Sequence, residues 1–137
     1  MTGEANLNSL LASITPCLLP GVFVFSTMPI GTALPAWLQP VMIFREAEGG
    51  TLIIEKPEAI TANFPHVFPS RMITLQIHSS LEAVGFLAAI TPCLAAAGVV
   101  VNPVSAYFHN HLFVPEDRAD DAVKILQEIA ADARSNQ

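Results

Sequence analysis

The sequence is poor in charge. Only 13% of its 137 residues are charged, about half the fraction usual in soluble domains. No Asp, Glu, Lys or Arg lies between Glu4 and Arg45, or between Glu82 and Glu116. Because the chain is 52% hydrophobic, we do not expect it to be disordered. A surface with so few charges is expected to be buried in part against another protein chain, and we expect a homodimer.

Basic residues and long apolar runs are also scarce. The chain has six Lys plus Arg and a net charge of −6. Nucleic-acid binding requires a cationic surface, so no such partner is expected. Prolines break both uncharged runs before ~20 apolar residues accumulate, and no membrane contact is expected. The N-terminus has no basic stretch typical of a signal peptide. We therefore expect a soluble, cytoplasmic protein.

Cysteine and catalytic motifs are nearly absent. Cys17 and Cys93 are the only cysteines, and they are far apart. Buried, reduced thiols are the simpler interpretation, and a bridge between the two is the alternative. The sequence contains no GxSxG, phosphate loop or GxGxxG, so no catalytic residue and no cofactor is predicted. The chain is not expected to be an enzyme.

One pentapeptide, Ile-Thr-Pro-Cys-Leu, occurs at residues 14–18 and again at 90–94. An internal duplication would explain it, and so would local coincidence. The second copy falls inside a predicted helix, where Pro92 must either kink the helix or break it.

The second half predicts the order strand, helix, strand, strand, helix. Residues 71–78 alternate between apolar and polar, as a strand with one buried face does. Ser79 and Glu82 form a capping box that predicts a helix start, and Gly98 suits its end. A tight turn is predicted at His109–His111. The predicted elements are strands at 71–78, 99–107 and 111–114, and helices at 81–97 and 117–133.

The first half predicts a similar but weaker pattern. Glu46–Gly50 has the composition of a hairpin turn. Residues 28–40 are interrupted by prolines and predict a short helix, and residues 63–70 predict a linker. The other predicted elements are helices at 6–18 and 57–63 and strands at 21–27, 41–45 and 51–55. Each half then lacks one strand of a βαββαβ module, so we expect the halves to share strand pairing.

Four segments carry a family resemblance: FREAEGGTLIIEKPEAI, HSSLEAVGFLAAI, AAAGVVVN and HNHLFVPEDRADDAVKIL. They resemble the ACT-domain superfamily of amino-acid-sensing modules, and more narrowly its small tandem proteins. The resemblance spans about residues 20–130 and extends to arginine sensors and the regulatory half of aspartate kinases. It implies an α+β fold of two ferredoxin-like units, with antiparallel sheets covered by helices. The implied domains are a degenerate ACT-like unit at 1–65 and an ACT domain at 66–137.

The loop from His78 to Gly85 is the candidate ligand site. It ends a predicted strand and opens a helix, whose first N–H groups can accept a carboxylate without a basic side chain. Gly85, placed in the first helical turn, permits close backbone approach. The resemblance implies that an amino acid binds at this loop, beside a neighbouring module. It also shows a departure, since His78 and Ser79 stand where an acidic residue would follow the strand. A plain strand–helix turn is the alternative.

The full predicted ligand site adds residues of the hairpin to this loop. Its members are His78, Ser79, Ser80, Leu81, Glu82, Ala83, Val84, Gly85, Asn102, His109 and His111. The two hairpin histidines have three interpretations: a metal site, hydrogen bonds across the hairpin, or contact with a ligand or partner. No further ligands follow in zinc-site spacing, so no metal is predicted.

These observations predict a non-enzymatic regulatory protein that binds a small ligand, an amino acid or related carboxylate. The alternative function is a structural or dimerisation module that binds no ligand.

Overall fold

The computed structural model describes residues 6–77, 81 and 83–136. The elements in chain order are α1 (Leu7–Ala12), β1 (Pro16–Leu18), β2 (Phe23–Met28), β3 (Met42–Arg45), β4 (Gly50–Glu55), α2 (Lys56–Ala62), β5 (His66–Leu75), α3 (Phe86–Ala96), β6 (Asn102–Ser105), β7 (Asn110–Pro115), a 3₁₀ turn (Glu116–Arg118) and α4 (Ala119–Ser135). No helix among the described residues is long and apolar enough to span a bilayer.

The chain divides into two compact units. The central unit is Pro20–Ser70, and the terminal unit combines the residues up to Leu19 with those from Arg71 onward. Strand β5 contributes its first half to the central unit and its second half to the terminal unit. The described residues up to Leu19 therefore pack with the second half of the chain.

The central unit has the strand order β3–β4–β2–β5, with every pair antiparallel. Val24, Leu52 and Ile54 are buried beneath Ala59 of α2, because apolar residues alternate along the strands. The predicted glycine turn is confirmed. A Cβ at Gly49 would lie 2.6 Å from the carbonyl oxygen of Met28, so no larger residue fits this turn without a backbone shift.

Two predictions for the central unit are wrong. Residues 63–70 are not a linker, because His66–Ser70 pair with β2 as the fourth strand of the unit. Asn63, in the left-handed conformation, ends α2 and directs the chain into that strand. Residues 29–41 contain no helix; they make local turns, such as Leu38 N–H to Pro35 O, before Val41 N–H bonds to Ile53 O of β4. The closely spaced prolines explain this, since they remove N–H donors that a helix needs.

The terminal unit has the strand order β6–β7–β5–β1. The predicted pairing of the strand near 71–78 with the strand near 111–114 is confirmed, because β5 lies beside β7. Its core joins side chains of α1, α3 and α4 to one face of the strands, among them Leu10, Ile73, Leu75, Ile90, Leu94, Leu112 and Leu126.

The predicted helix at 6–18 is only half right. Helix α1 stops at Ala12, and Pro16–Leu18 form β1. Pro16 disfavours the helical conformation at Thr15, and proline suits the first residue of an edge strand. Strand β1 supplies the fourth strand of the terminal unit, so neither unit lacks a strand. Both units show the same strand order, and the α+β fold of two ferredoxin-like units is confirmed.

Candidate functional site

Helix α3 starts later than predicted. Its first residue is Phe86, and Gly85 occupies the N-cap with φ 87°, so the predicted start at Leu81 is wrong. Ser79 and Glu82, the predicted capping box, lie outside the described residues together with His78 and Ser80. Because a left-handed φ strains any residue with a Cβ, the backbone conformation alone favours glycine at position 85.

The first turn of α3 offers backbone donors. The first intrahelical bond of the turn runs from Ala89 N–H to Gly85 O, 2.9 Å. The N–H groups of Phe86, Leu87 and Ala88 precede it and have no acceptor within the helix. No described side chain caps them, and the first turn contains no acidic residue. This helix end therefore carries partial positive charge that no carboxylate of the first turn neutralises.

A cavity of about 200 Å³ lies at this helix end. The described residues that line it are Leu81, Ala83, Gly85, Phe86, Leu87, Ala88, Ser105, Ala106 and Asn110. Three predicted site residues, Leu81, Ala83 and Gly85, are thus brought together. Val84 is 86% exposed and does not line the cavity.

Sequence reasoning missed the opposite wall of the cavity. Ser105 and Asn110 are register partners in the β6–β7 hairpin, and the Ser105 hydroxyl donates to Asn110 Oδ1 at 2.6 Å. Asn110 is only 8% exposed, unusual for an amide side chain without a structural or binding role. The available signal was the polar Asn110 between two histidines in an otherwise apolar strand.

The predicted turn at His109–His111 is wrong. The hairpin turns at Ala106–His109, closed by a hydrogen bond from Ala106 N–H to His109 O of 3.0 Å, and His111 lies within β7. Alternation then directs Asn110 to one face of β7 and both histidines to the other. His109 and His111 do not line the cavity, and neither does Asn102, an exposed residue at the start of β6.

The histidines contact β5 and the residues that follow it. His111 Nδ1 lies 2.9 Å from the hydroxyl of Thr74, and His109 Nδ1 lies 3.3 Å from Ile77 O. Burial lowers the pKa of His111 below 6.5, and the nearby His109 lowers it further. Among the described residues, no three His, Cys, Asp or Glu side chains gather as metal ligands would.

The central unit differs from the terminal unit at the equivalent connection. Its equivalent connection, from β2 to β3, is the non-helical segment 29–41, so it presents no helix end to a ligand.

Comparisons with known proteins agree with this architecture. Residues 2–71 match one ACT-domain model and residues 67–128 match another. The chain therefore belongs to the ACT-domain family, whose members are regulatory modules typical of amino-acid sensing. A comparison with curated proteins found no match.

Solved structures support the same assignment. A protein of unknown function from Vibrio cholerae, described as a possible transport protein, is 39% identical, with a TM-score of 0.80 over 90% of this chain and 95% of that one. An Agrobacterium tumefaciens protein has 18% identity and a TM-score of 0.72, over 85% and 89% of the two chains. The aspartate kinase regulatory subunit of Thermus thermophilus has 10% identity and a TM-score of 0.64, over 85% and 97%. The last two likenesses concern the fold alone.

Proposed function

We propose that this protein is a non-enzymatic regulator that binds a small amino acid, or a related carboxylate, in the cavity at the start of α3. The single observation that carries the proposal is the coincidence of that cavity with the first turn of the helix, which no described side chain caps. In this proposal residues 66–137 carry the ligand-binding module, and residues 1–65 form the degenerate one.

The expected binding mode follows from the donors present. The ligand carboxylate accepts hydrogen bonds from the first N–H groups of α3, where the helix dipole favours negative charge. None of the described lining residues is charged, so backbone groups rather than an Arg or Lys provide the attraction. A volume of about 200 Å³ is below the ~300–1,000 Å³ typical of drug-sized ligand sites and suits a small molecule.

The proposal includes a homodimer in the cytoplasm, with no nucleic acid or membrane partner. Edge strand β3 supports assembly, because Ile43 is 60% and Phe44 is 61% exposed, and exposed apolar edges tend to pair with another chain. The same observation supports the alternative function, a dimerisation module without a ligand. Light scattering at high micromolar concentration tests assembly, and a clean monomer mass contradicts it.

A thermal-shift screen against the twenty amino acids separates the two functions. A ligand at 100 times its dissociation constant stabilises the folded protein by about 2.7 kcal/mol, which such a screen detects easily. If no amino acid raises the melting temperature, the dimerisation module becomes the better hypothesis.

Ala88 allows a sharper test than Gly85. Valine at Gly85 would strain the backbone as well as fill the site, so a loss of binding there would be ambiguous. Ala88 is exposed and lines the cavity, and Ala95 is also exposed and lies two turns further along α3. We expect Ala88→Leu to weaken binding of the amino acid found in the screen at least tenfold in calorimetry, by filling the cavity.

Ala95→Leu is the matched control, because it makes the same change on the same helix face outside the cavity. It should leave affinity unchanged, and both variants should melt near the wild-type temperature. Undiminished affinity in Ala88→Leu would place the ligand elsewhere.

A further inference from the structure

The open edges of the sheet differ in how well they are protected from other chains. Among the described residues, strands β1, β3 and β6 each pair with a neighbour on one side only. Strand β1 contains Pro16 and β6 contains Pro103, and proline on an edge strand discourages further pairing. Strand β3 contains no proline, and its Ile43 and Phe44 are exposed. Of these edges, β3 is therefore the one open to a further strand.

Hydrogen bonds at the β3–β4 turn show which backbone groups of β3 lie on its open edge. Glu46 and Gly49 exchange two bonds, of 2.9 and 3.3 Å. Bonded and non-bonded pairs alternate along an antiparallel ladder, so Phe44, two residues before Glu46, also bonds to β4. The N–H and C=O groups of Ile43 and Arg45 therefore point away from β4 and remain available to another strand.

A second copy of the chain supplies a matching set of backbone groups. When two β3 strands meet antiparallel about a two-fold axis at Phe44, Ile43 of one copy lies opposite Arg45 of the other. Each such pair exchanges two hydrogen bonds, so the open donors and acceptors of both residues are satisfied in both copies. Two-fold symmetry of this kind is the commonest arrangement of homodimers.

The side chains of β3 favour the same register. Phe44 lies opposite its own copy in a non-hydrogen-bonded pair, where cross-strand aromatic side chains come close together. Arg45 lies opposite Ile43, so its aliphatic stem covers an apolar neighbour while its charge stays in water. An axis at Arg45 would place like charges directly opposite. An axis at Ile43 would pair Arg45 with Val41, whose N–H already bonds to Ile53 O at 2.8 Å.

We propose that this protein dimerises by antiparallel pairing of β3 with β3 of a second copy, about a two-fold axis at Phe44. The inference rests on the homodimer of the proposed function and defines the interface of that dimer. It does not depend on ligand binding at α3, because β3 belongs to the central unit and α3 to the terminal unit.

Disulfide cross-linking tests the register of the two strands. In a chain that carries Cys17→Ser and Cys93→Ser, Phe44→Cys places two thiols at the axis. The Cα atoms of a non-hydrogen-bonded pair lie ~4.5 Å apart, within the range of a disulfide. Mild oxidation should therefore convert most of the protein into a covalent dimer on a non-reducing gel.

Arg45→Cys in the same background is the matched control. The two copies of residue 45 lie diagonally across the axis, about 7–8 Å apart, which is too far for an unstrained disulfide. This variant should cross-link more slowly than Phe44→Cys by roughly tenfold or more. Equal or faster cross-linking of Arg45→Cys would overturn the inference.

A second test removes a hydrogen bond from the interface. Ile43→Pro deletes an N–H that points away from β4 and so leaves the hairpin's own ladder intact. The variant should keep the wild-type circular dichroism spectrum, and its dimer dissociation constant in sedimentation should rise by roughly tenfold or more. An unchanged dissociation constant would overturn the inference while the homodimer stands.

Ile43→Ser covers the case in which Ile43→Pro fails to fold. Its matched control is Ile60→Ser, because Ile43 is 60% exposed and Ile60, on α2 of the same unit, is 61% exposed. Ile43→Ser should weaken the dimer several-fold and Ile60→Ser should not, and equal effects would contradict the proposed interface. A monomeric wild-type protein would refute the homodimer and this interface together, whereas the thermal-shift screen decides ligand binding separately.

Discussion

The pentapeptide Ile-Thr-Pro-Cys-Leu adopts two structures within the terminal unit. Its first copy, residues 14–18, runs from the end of α1 into strand β1, and its second copy, residues 90–94, forms the middle of α3. Intrinsic propensity is the same in both copies, so the difference must come from flanking residues and packing.

The first copy is extended because it has strand partners. Thr15 O accepts a hydrogen bond from Gln76 N–H at 3.1 Å, and Leu19 N–H donates to Met72 O at 3.0 Å. These bonds bracket the β1–β5 ladder. Strand β1 lies at the edge of the terminal unit's sheet, where Pro16 removes no needed donor.

The second copy is helical because its neighbours and its burial favour a helix. Alanines precede and follow it, and Ile90 and Leu94, one turn apart, are both fully buried. Thr91 donates its hydroxyl to Leu87 O at 3.0 Å, which satisfies that group inside the helix. The copies occupy different positions of one module, which favours local coincidence over duplication.

Substitution of the leucine should give the largest difference in stability between the two copies. Leu94 is fully buried, whereas Leu18 is partly buried. We expect Leu94→Ala to lower the free energy of unfolding by about 2–5 kcal/mol and Leu18→Ala by about 1 kcal/mol, measured in urea.

Isoleucine provides the control for this comparison. Ile14 is 4% and Ile90 is 0% exposed, so Ile14→Val and Ile90→Val should each cost a similar amount, about 1 kcal/mol. A Leu18→Ala cost as large as that of Leu94→Ala would mean that β1 is packed as tightly as α3.

Most strands and helices, and the pairing of the strand near 71–78 with the strand near 111–114, could be predicted from sequence, because alternation and glycine turns are local signals. Predictions failed where tertiary pairing outweighed them. The predicted N-terminal helix includes Pro16–Leu18, which pair with β5, and the two prolines of residues 63–70 predict a linker where His66–Ser70 form a strand. The strands with which these segments pair, β5 and β2, are distant in sequence, so local patterns do not indicate the pairing.

Proline should give effects of opposite sign in the two copies. Pro92 lies in the interior of α3 and leaves Ala88 O without its helical donor. Pro92→Ala restores that donor and should stabilise the protein by about 1–2 kcal/mol, less than the full ~3 kcal/mol penalty because the unfolded chain gains freedom. Pro16→Ala should destabilise it by about 0.4–1 kcal/mol, since only the unfolded-state effect remains.

Thermal and urea unfolding of both proline variants measure this prediction. If Pro92→Ala and Pro16→Ala destabilise the protein by similar amounts, the packing of α3 depends on Pro92, and the hydrogen bond that Pro92 removes costs little.

The candidate site was half predictable for a related reason. The residues on the helix side of the cavity were predicted from the loop before α3 and from Gly85, both of which are recognisable in the local sequence. The hairpin side depends on register. A turn placed at His109–His111 instead of Ala106–His109 directs the histidines, and not Asn110, towards the cavity. Because side chains alternate along a strand, a one-residue shift in register directs the opposite set of side chains towards the cavity.

Cysteine should show the smallest effect, on reactivity and not on stability. Cys93 is exposed on α3, whereas Cys17 is partly buried in β1, and both are free thiols. Neither thiol is fully buried, so Cys17→Ser and Cys93→Ser should each change the free energy of unfolding little.

Reactivity of the remaining thiol should differ between the two variants. With a thiol reagent under native conditions, Cys17→Ser, which retains Cys93, should react several-fold faster than Cys93→Ser, which retains Cys17. In denaturant the two rates should converge, because the flanking residues Pro and Leu are the same. If Cys17 reacts faster than Cys93 under native conditions, β1 must detach from β5 often enough to expose the Cys17 thiol. The first copy would then be extended only part of the time.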